Sequence, residues 1–178
     1  MYKVKGKQNK AKHCRKELIS LKQKLIIMVG LPGSGKTTKG RQIAEDNNFS
    51  YVSRDFVRNL TGLAFSPNAD KITKNIFLSL VEAALFRGES VVADATHISA
   101  GSRAPLIELG KKYGVEIISI VMNTSYETCI LRNAQRDESE MVPVKAIRAM
   151  NDNFNPPSKM EGISNIYLYT EGEENKWD

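Results

Sequence analysis

A chain of 178 residues has the length of one ordinary domain and can bury one sizeable hydrophobic core. Hydrophobic residues make up 41% of it, yet no stretch approaches the roughly 20 consecutive apolar residues of a membrane span. The two cysteines, Cys14 and Cys129, form neither a metal-ligand spacing nor a disulfide framework. These features favour a globular cytoplasmic protein and exclude a membrane-spanning or disulfide-stapled one.

The net charge of +6 is concentrated at one end of the chain. Residues 1–24 carry nine lysines and arginines against one acid, whereas the remaining residues carry 17 basic and 19 acidic side chains. We therefore expect a basic N-terminal arm over residues 1–24 and one domain over residues 25–178. Such arms often follow nucleic-acid phosphates, although a solvated tail without a partner has the same composition.

Apolar strand-like segments alternate with helix-like segments through the rest of the chain. The predicted strands are residues 25–29, 50–53, 90–93, 116–122 and 165–170. The predicted helices are residues 38–47, a long helix with an apolar face over 72–85, residues 102–112, residues 125–136, and a helix from Pro143 whose apolar face reaches Phe154. This alternation predicts an α/β fold with a parallel sheet of about five strands and helices on both faces.

A glycine-rich loop follows the first predicted strand and opens the first predicted helix. Residues 30–37 match the phosphate-binding pattern G-x-x-x-x-G-K-[ST], whose backbone N–H groups cradle a polyphosphate. Lys36 is expected to reach the β- and γ-phosphates of ATP, and the Thr37 hydroxyl to hold Mg²⁺. The predicted ATP-binding residues of this loop are Gly30, Leu31, Pro32, Gly33, Ser34, Gly35, Lys36, Thr37 and Thr38.

Acidic side chains follow the next two predicted strands, at the edge of a parallel sheet where ligands bind. Asp55 comes after the second strand, three residues before Arg58, and can act as general base or orienter for an attacking hydroxyl. Arg58 can bind an acceptor phosphate or steady Asp55; a local surface ion pair is the alternative. Asp94 ends the third strand, where a Mg²⁺-bound water or a substrate hydroxyl would satisfy it. Ala95 follows it, where hydrolysing ATPases usually carry a glutamate, so we expect transfer to a bound acceptor.

Two arginines follow the fourth predicted strand. Arg132 and Arg136 are four residues apart, so a continuous helix would place them on one face. There they can close over ATP as a lid and stabilise charge on the transferring phosphoryl group. A solvated face with Arg136 paired to a nearby acid is the alternative.

Together these segments resemble the kinase domain of the bacteriophage polynucleotide kinase family, within the AAA-like P-loop kinases. The resemblance is carried by the glycine-rich loop, by Arg54, Asp55 and Arg58, by Asp94, and by the pattern around Arg132 and Arg136. It continues through residues 142–150 and 154–162, and it covers residues 25–170 in the family's order.

The resemblance implies ATP-dependent, Mg²⁺-dependent phosphorylation of a 5′-hydroxyl on DNA or RNA, a role in nucleic acid repair. It implies that Asp55 activates the hydroxyl, Arg58 contacts an acceptor phosphate, Asp94 helps to seat the acceptor and Arg136 is the lid arginine. No D-x-D-G-T-like segment is present, so we do not expect removal of 3′-phosphates. The expected partners are nucleic acid 5′ ends, and no membrane or stable protein partner is implied.

Two other functions remain open from the sequence. The acceptor can be a small molecule, a nucleoside or a modified DNA base, because acceptor choice depends on pocket shape. A nucleotide-dependent nucleic-acid adaptor without catalytic activity is the third possibility, although an adaptor has no need of an acceptor-activating acid. Aromatic residues are only 7% of the chain and form no obvious base-stacking platform.

Overall fold

A computed structural model describes residues 22–63, 66–138 and 140–172. The strands in this part of the chain are β1 (Lys24–Val29), β2 (Ser50–Ser53), β3 (Val91–Asp94), β4 (Glu116–Met122) and β5 (Asn165–Tyr169). The α-helices are α1 (Lys36–Asn47), α2 (Arg54–Thr61), α3 (Pro67–Phe86), α4 (Ala100–Tyr113), α5 (Tyr126–Ala134) and α6 (Val144–Asp152). A short 3-10 helix (Lys159–Glu161) precedes β5.

The five strands form one parallel sheet in the order β2-β3-β1-β4-β5. The central strand β1 pairs with β3 on one side and β4 on the other. After β1 the chain turns toward β2, whereas after β4 it turns toward β5. Ligands bind at such a reversal, outside the carboxyl ends of the strands. The predicted fold class is therefore confirmed, and the topology directs attention to the loops after β1 and β4.

Alternate residues of β1 face opposite layers of helices. Leu25, Ile27 and Val29 belong to a core cluster with residues of α3 and α4, whereas Ile26 and Met28 pack against residues of α1. Both faces of β1 are apolar, which is why the strand reads as an unbroken hydrophobic run. The predicted helices on both faces of the sheet are confirmed.

The prediction of a continuous helix over residues 125–136 is wrong at its C-terminal end. The helix α5 ends at Ala134, where the backbone N–H of Gln135 bonds back to the carbonyl of Arg132 and that of Arg136 to the carbonyl of Asn133. The buried Asn133 side chain then exchanges two hydrogen bonds with the backbone of Val142, at 2.8 and 3.0 Å. These bonds turn the chain away from the helix axis, so Arg136 lies beyond the helix and does not share a helical face with Arg132.

Several other boundaries differ from the sequence prediction by a few residues, among them the end of α6 and the start of β1. The helix α6 ends at Asp152, so Phe154 lies beyond it and packs against the main core cluster instead. Lys24, assigned to the arm, is the first residue of β1 and pairs with Glu116. Residues 1–21, which hold most of the predicted arm and Cys14, lie outside the described residues. None of the helices in the described ranges has the length and apolarity needed to cross a membrane.

Candidate nucleotide and acceptor site

The glycine-rich loop joins β1 to α1 and turns sharply at two glycines. Gly33 and Gly35 have φ angles of 81° and 88°, in the region that favours glycine. A Cβ atom on Gly33 would also overlap the backbone carbonyl of Cys129 at the centre of α5. The loop therefore packs closely against α5, and a side chain at residue 33 would have to push the two apart.

Lys36, the lysine of this loop, is buried in the cradle that the loop forms. Its Nζ donates to the Leu31 carbonyl at 2.7 Å and lies 3.4 Å from Ser34 Oγ. Burial lowers the pKa of Lys36 to about 8, and the negative charges of Asp94 and Asp55 partly offset this decrease. The ammonium group is thus poorly solvated and lies near two carboxylates, so an anionic phosphate would stabilise its charged form.

A cavity of about 440 Å³ opens between the loop and the end of α5. Its lining includes the predicted ATP-binding residues Gly33, Ser34, Gly35, Lys36, Thr37, Thr38, Arg132 and Arg136. Arg132 and Arg136 thus reach the same cavity although they do not share a helix. Two further lining residues, Lys39 and Glu171, carry no signal in the sequence. The Lys39 Nζ lies 4.6 Å from the ring centroid of Tyr169. The Glu171 carboxylate pairs with Arg132 at 2.5 Å.

Asp94 lies at the carboxyl end of β3 and connects three elements. Its Oδ2 accepts hydrogen bonds from the Thr37 hydroxyl at 2.8 Å and from the Tyr51 hydroxyl at 2.6 Å. Asp94 is 4% exposed, and its neighbours in the sheet are Ser53 on β2 and Met28 on β1. The buried acid therefore has partners within the protein, one of which is the hydroxyl predicted to hold Mg²⁺. Tyr51 was not singled out in the sequence, where it reads as an ordinary strand residue.

Asp55 is exposed in the first turn of α2, directly after β2. Ser53 caps this helix by accepting a hydrogen bond from the Phe56 N–H. The charge of Asp55 acts on the buried ammonium of Lys36, so the two groups lie on the same edge of the sheet. An accessible carboxylate near the lysine of the glycine-rich loop has the placement that a base for an incoming hydroxyl requires.

Arg58 and Arg54 both contact Asp70, in the first turn of α3. The Nη2 atoms of the two arginines lie 3.2 and 2.7 Å from Asp70 Oδ1. Burial acts to raise the pKa of Asp70, but the hydrogen bonds and charges of the two arginines hold it below its usual value. Two arginines thus share the Asp70 carboxylate, and Asp55 lies between them in the chain. No motif pointed to Asp70, because it follows Arg58 only after a loop.

Arg103 of α4 is fully buried and holds the loop between β3 and α4 in place. Its guanidinium donates to both carboxylate oxygens of Glu161 at 2.8 and 2.9 Å and to the backbone carbonyls of His97 and Asn155, each at 2.9 Å. Glu161 also accepts from the Ser158 N–H at 2.9 Å. These bonds tie α4 to the segment before β5, a role that the sequence did not reveal.

His97, in the same loop, is buried and adopts a positive φ of 43°. Its Nδ1 lies 3.0 Å from the Met28 carbonyl, which requires the proton on Nδ1. Burial lowers the pKa of His97 to about 4, although the bond to Met28 opposes the shift, and the charges of Arg54, Lys36 and Arg103 lower it further. His97 is therefore a neutral packing residue at physiological pH.

A parallel sheet, a glycine-rich loop on its central strand and arginines facing that loop define a P-loop kinase fold. The sequence matches the model of the AAA domain family named AAA_33 over residues 25–157. The chain belongs to this family.

Known proteins similar to this chain include a polynucleotide kinase. The "Bifunctional polynucleotide phosphatase/kinase" of Schizosaccharomyces pombe is 24% identical over 147 residues, 81% of this chain and 33% of the relative. The chain spans 33% of the length of this relative and 22% of that of a second, the "Putative bifunctional polynucleotide phosphatase/kinase" of Acanthamoeba polyphaga mimivirus.

Two solved structures extend the comparison. A chain from the structure of the Pnkp1/Rnl/Hen1 RNA repair complex is 28% identical, with a TM-score of 0.65, over 74% of this chain and 43% of that one. Kti12 of Chaetomium thermophilum in complex with ADP-AlF3 shares the fold, with a TM-score of 0.68 at 20% identity over 84% and 90% of the two chains.

Proposed function

We propose that this protein transfers the γ-phosphate of ATP to the 5′-hydroxyl end of DNA or RNA. The observation that carries the proposal is the placement of Asp55, an accessible carboxylate at the same sheet edge as the buried Lys36 and next to the arginines of the Asp70 cluster. The names of the curated relatives support a polynucleotide as the acceptor.

Each proposed role uses a group whose surroundings suit it. Asp55 accepts the proton of the 5′-hydroxyl, whose oxygen then bonds to the γ-phosphorus while the bond to ADP breaks. Lys36, Arg132 and Arg136 stabilise the negative charge that shifts toward the leaving group. Arg58 holds a phosphate of the acceptor strand, in exchange for part of its contact with Asp70.

The residues at the loop fit a magnesium ion bound together with ATP. Thr37 Oγ1 and Asp94 Oδ2 lie 2.8 Å apart, and oxygen donors of this kind suit Mg²⁺, which usually keeps several waters and takes one or two protein ligands beside the phosphates. Thr37 would hold the ion directly and Asp94 through water. When bound, the ion supplies neutralisation of phosphate charge and fixes the donor's orientation.

The test is transfer of labelled γ-phosphate to a short oligonucleotide with a 5′-hydroxyl, against an identical one with a 5′-phosphate. We expect label on the 5′-hydroxyl oligonucleotide alone and a 10²- to 10⁴-fold slower rate, as an order-of-magnitude estimate, in Asp55→Asn. Asp46→Asn is the matched control, because Asp46 is an exposed acid on α1. It should leave the rate unchanged.

Other outcomes would identify the competing functions. Transfer to a sugar, a nucleoside or a modified base, with none to oligonucleotides, would establish a small-molecule or modified-base kinase. Intact nucleic-acid function in Asp55→Asn, together with its loss in Lys36→Ala, would establish a nucleotide-dependent adaptor. Either result would overturn the proposal.

The basic arm is proposed to add phosphate contacts along the acceptor strand. Removal of residues 1–21 keeps Gln23, whose amide bonds to the carbonyls of Leu85 and Glu89, and keeps the start of β1. Acceptor binding should weaken, and its salt dependence should flatten by a slope of roughly 0.7 per lost contact on single strands. An unchanged slope would leave the arm without this role.

A further inference from the structure

A second cavity, of about 560 Å³, lies on the other side of α1 from the lid arginines. It runs between α1, the edge strand β2 and the start of α2, and three aromatic residues line it: Phe49, Tyr51 and Phe56. The Phe56 side chain is 61% exposed, so its ring is open to solvent. The volume lies within the range of small-molecule sites, and the proposed transfer reaction does not use this cavity.

The cavity is joined to the proposed reaction centre by two of its aromatic residues. The Tyr51 hydroxyl donates to Asp94 at 2.6 Å, the same oxygen that accepts from Thr37. Burial, together with the charge of Asp94, raises the pKa of Tyr51, so the hydroxyl stays protonated as a donor. Phe56 directly follows Asp55 at the start of α2. The cavity is therefore lined by a residue bonded to Asp94 and by the residue that follows Asp55, although neither acid is itself part of the lining.

The lining has the chemistry of a base-binding surface. Arg41 adds a cation whose Cζ lies 5.7 Å from the ring centroid of Tyr51, and Phe56 presents an open aromatic side chain. Nucleobases stack on aromatic side chains whatever their sequence, and arginine adds to the stack. An acceptor strand whose 5′-hydroxyl sits at Asp55 would have its first base within one nucleotide of Phe56, the next residue of α2.

We propose that this cavity binds the base of the acceptor's 5′-terminal nucleotide, with Phe56 as the stacking side chain. The proposal rests on the proposed function and specifies how the acceptor is held. It follows that the enzyme requires a base at the 5′ terminus and discriminates weakly among the four. The amino-acid sequence alone does not indicate this cavity, because Phe49, Tyr51 and Phe56 come together only when β2 packs beside α1 and α2.

The experiment compares two acceptors and two matched variants. The acceptors are a single-stranded oligonucleotide with a normal 5′-terminal nucleotide and the same oligonucleotide with an abasic 5′-terminal residue, both ending in a 5′-hydroxyl. Phe56→Ala removes the stacking ring, whereas Leu60→Ala, one turn later on α2 and 71% exposed, removes a similar apolar side chain outside the cavity lining.

We expect Phe56→Ala to raise the KM for the normal acceptor roughly 5- to 100-fold, the loss of one base–aromatic stack. The KM for ATP should not change, and Leu60→Ala should behave as the wild type. On the abasic acceptor, the wild type and Phe56→Ala should have the same KM. Phe56→Trp, which keeps an aromatic face, should restore acceptor binding.

Three results would overturn the proposal. An unchanged KM in Phe56→Ala, with normal transfer by the wild type, would remove the stacking role and leave the proposed function intact. An equal loss on the normal and the abasic acceptor would show that Phe56 acts without a base. No transfer by the wild type to any oligonucleotide would overturn the proposed function and this inference together.

Discussion

Two arginine–carboxylate pairs lie on opposite sides of the site and differ mainly in their burial. Arg103 pairs with Glu161 at 2.8 Å, and the two side chains are 0% and 16% exposed. Arg132 pairs with Glu171 at 2.5 Å, but these side chains are 38% and 66% exposed. The contact distances alone would rank the second pair as the stronger, whereas solvent screening makes it the weaker.

Because they differ in burial, the two pairs have different roles in the protein. The buried guanidinium of Arg103 has several protein acceptors and no alternative partner in water, so it fixes the loop that carries His97 beside the acceptor side. Arg132 faces the proposed nucleotide cavity and shares it with Glu171, so it can exchange this carboxylate for a phosphate at little cost. We therefore expect the loop that carries His97 to be rigid and the Arg132 side chain to change partners when a nucleotide binds.

Breaking the buried pair should have the largest effect on stability. Arg103→Met would remove the arginine partner of the Glu161 carboxylate and the donor to the His97 and Asn155 carbonyls, and should lower the free energy of unfolding by about 3–5 kcal/mol. Chemical denaturation measures this loss. Glu161→Gln, which keeps the shape and some hydrogen bonds, should cost less. A loss below about 1 kcal/mol in Arg103→Met would show that the pair does not hold the loop.

The pH dependence of stability tests whether His97, in the loop that Arg103 holds, is buried in its neutral form. Because the folded pKa is about 4 and the unfolded value about 6.5, the unfolded chain takes up a proton first as the pH falls. Stability should therefore decrease between about pH 6.5 and pH 4, with a slope of up to about 1.4 kcal/mol per pH unit from this residue. His97→Asn tolerates the positive φ and should flatten this part of the stability profile. An unchanged profile would show that the pKa of His97 is the same in the folded and unfolded chains.

The pH dependence of nucleotide binding tests the opposite side of the site. Lys36 loses its proton near pH 8 in the free protein, and a bound phosphate favours its charged form. The affinity for ATP should fall as the pH rises above about 8, by up to about tenfold per pH unit, and binding there should take up protons. Calorimetry in buffers of different ionisation enthalpy measures both effects. Lys36→Arg, which stays charged, should remove the dependence even if its affinity is lower.

The sequence predicted the sheet and the glycine-rich loop well, because both depend on local patterns. The run of apolar residues before the loop fixes β1, and Gly35-Lys36-Thr37 fixes the start of α1. Local patterns did not predict where α5 ends, because its end depends on hydrogen bonds between Asn133 and Val142, nine residues further along the chain. Arg103 gave no signal for the same reason, since two of its partners, Asn155 and Glu161, lie more than 50 residues further along the chain.

Removing the charge of Glu171 should have the smallest effect on stability and a visible one on binding. Glu171→Gln should change the free energy of unfolding by less than about 1 kcal/mol, because the pair is exposed. The affinity for the nucleotide should rise a few-fold, as an order-of-magnitude estimate, because the Glu171 carboxylate no longer competes with a phosphate for Arg132. The gain should shrink at high salt, where exposed charges are screened. Glu127→Gln, an exposed acid on α5 outside the cavity lining, serves as the charge-matched control. Weaker binding in Glu171→Gln alone would instead mean that Glu171 contacts the nucleotide, and that the exposed pair is part of the binding surface and not its competitor.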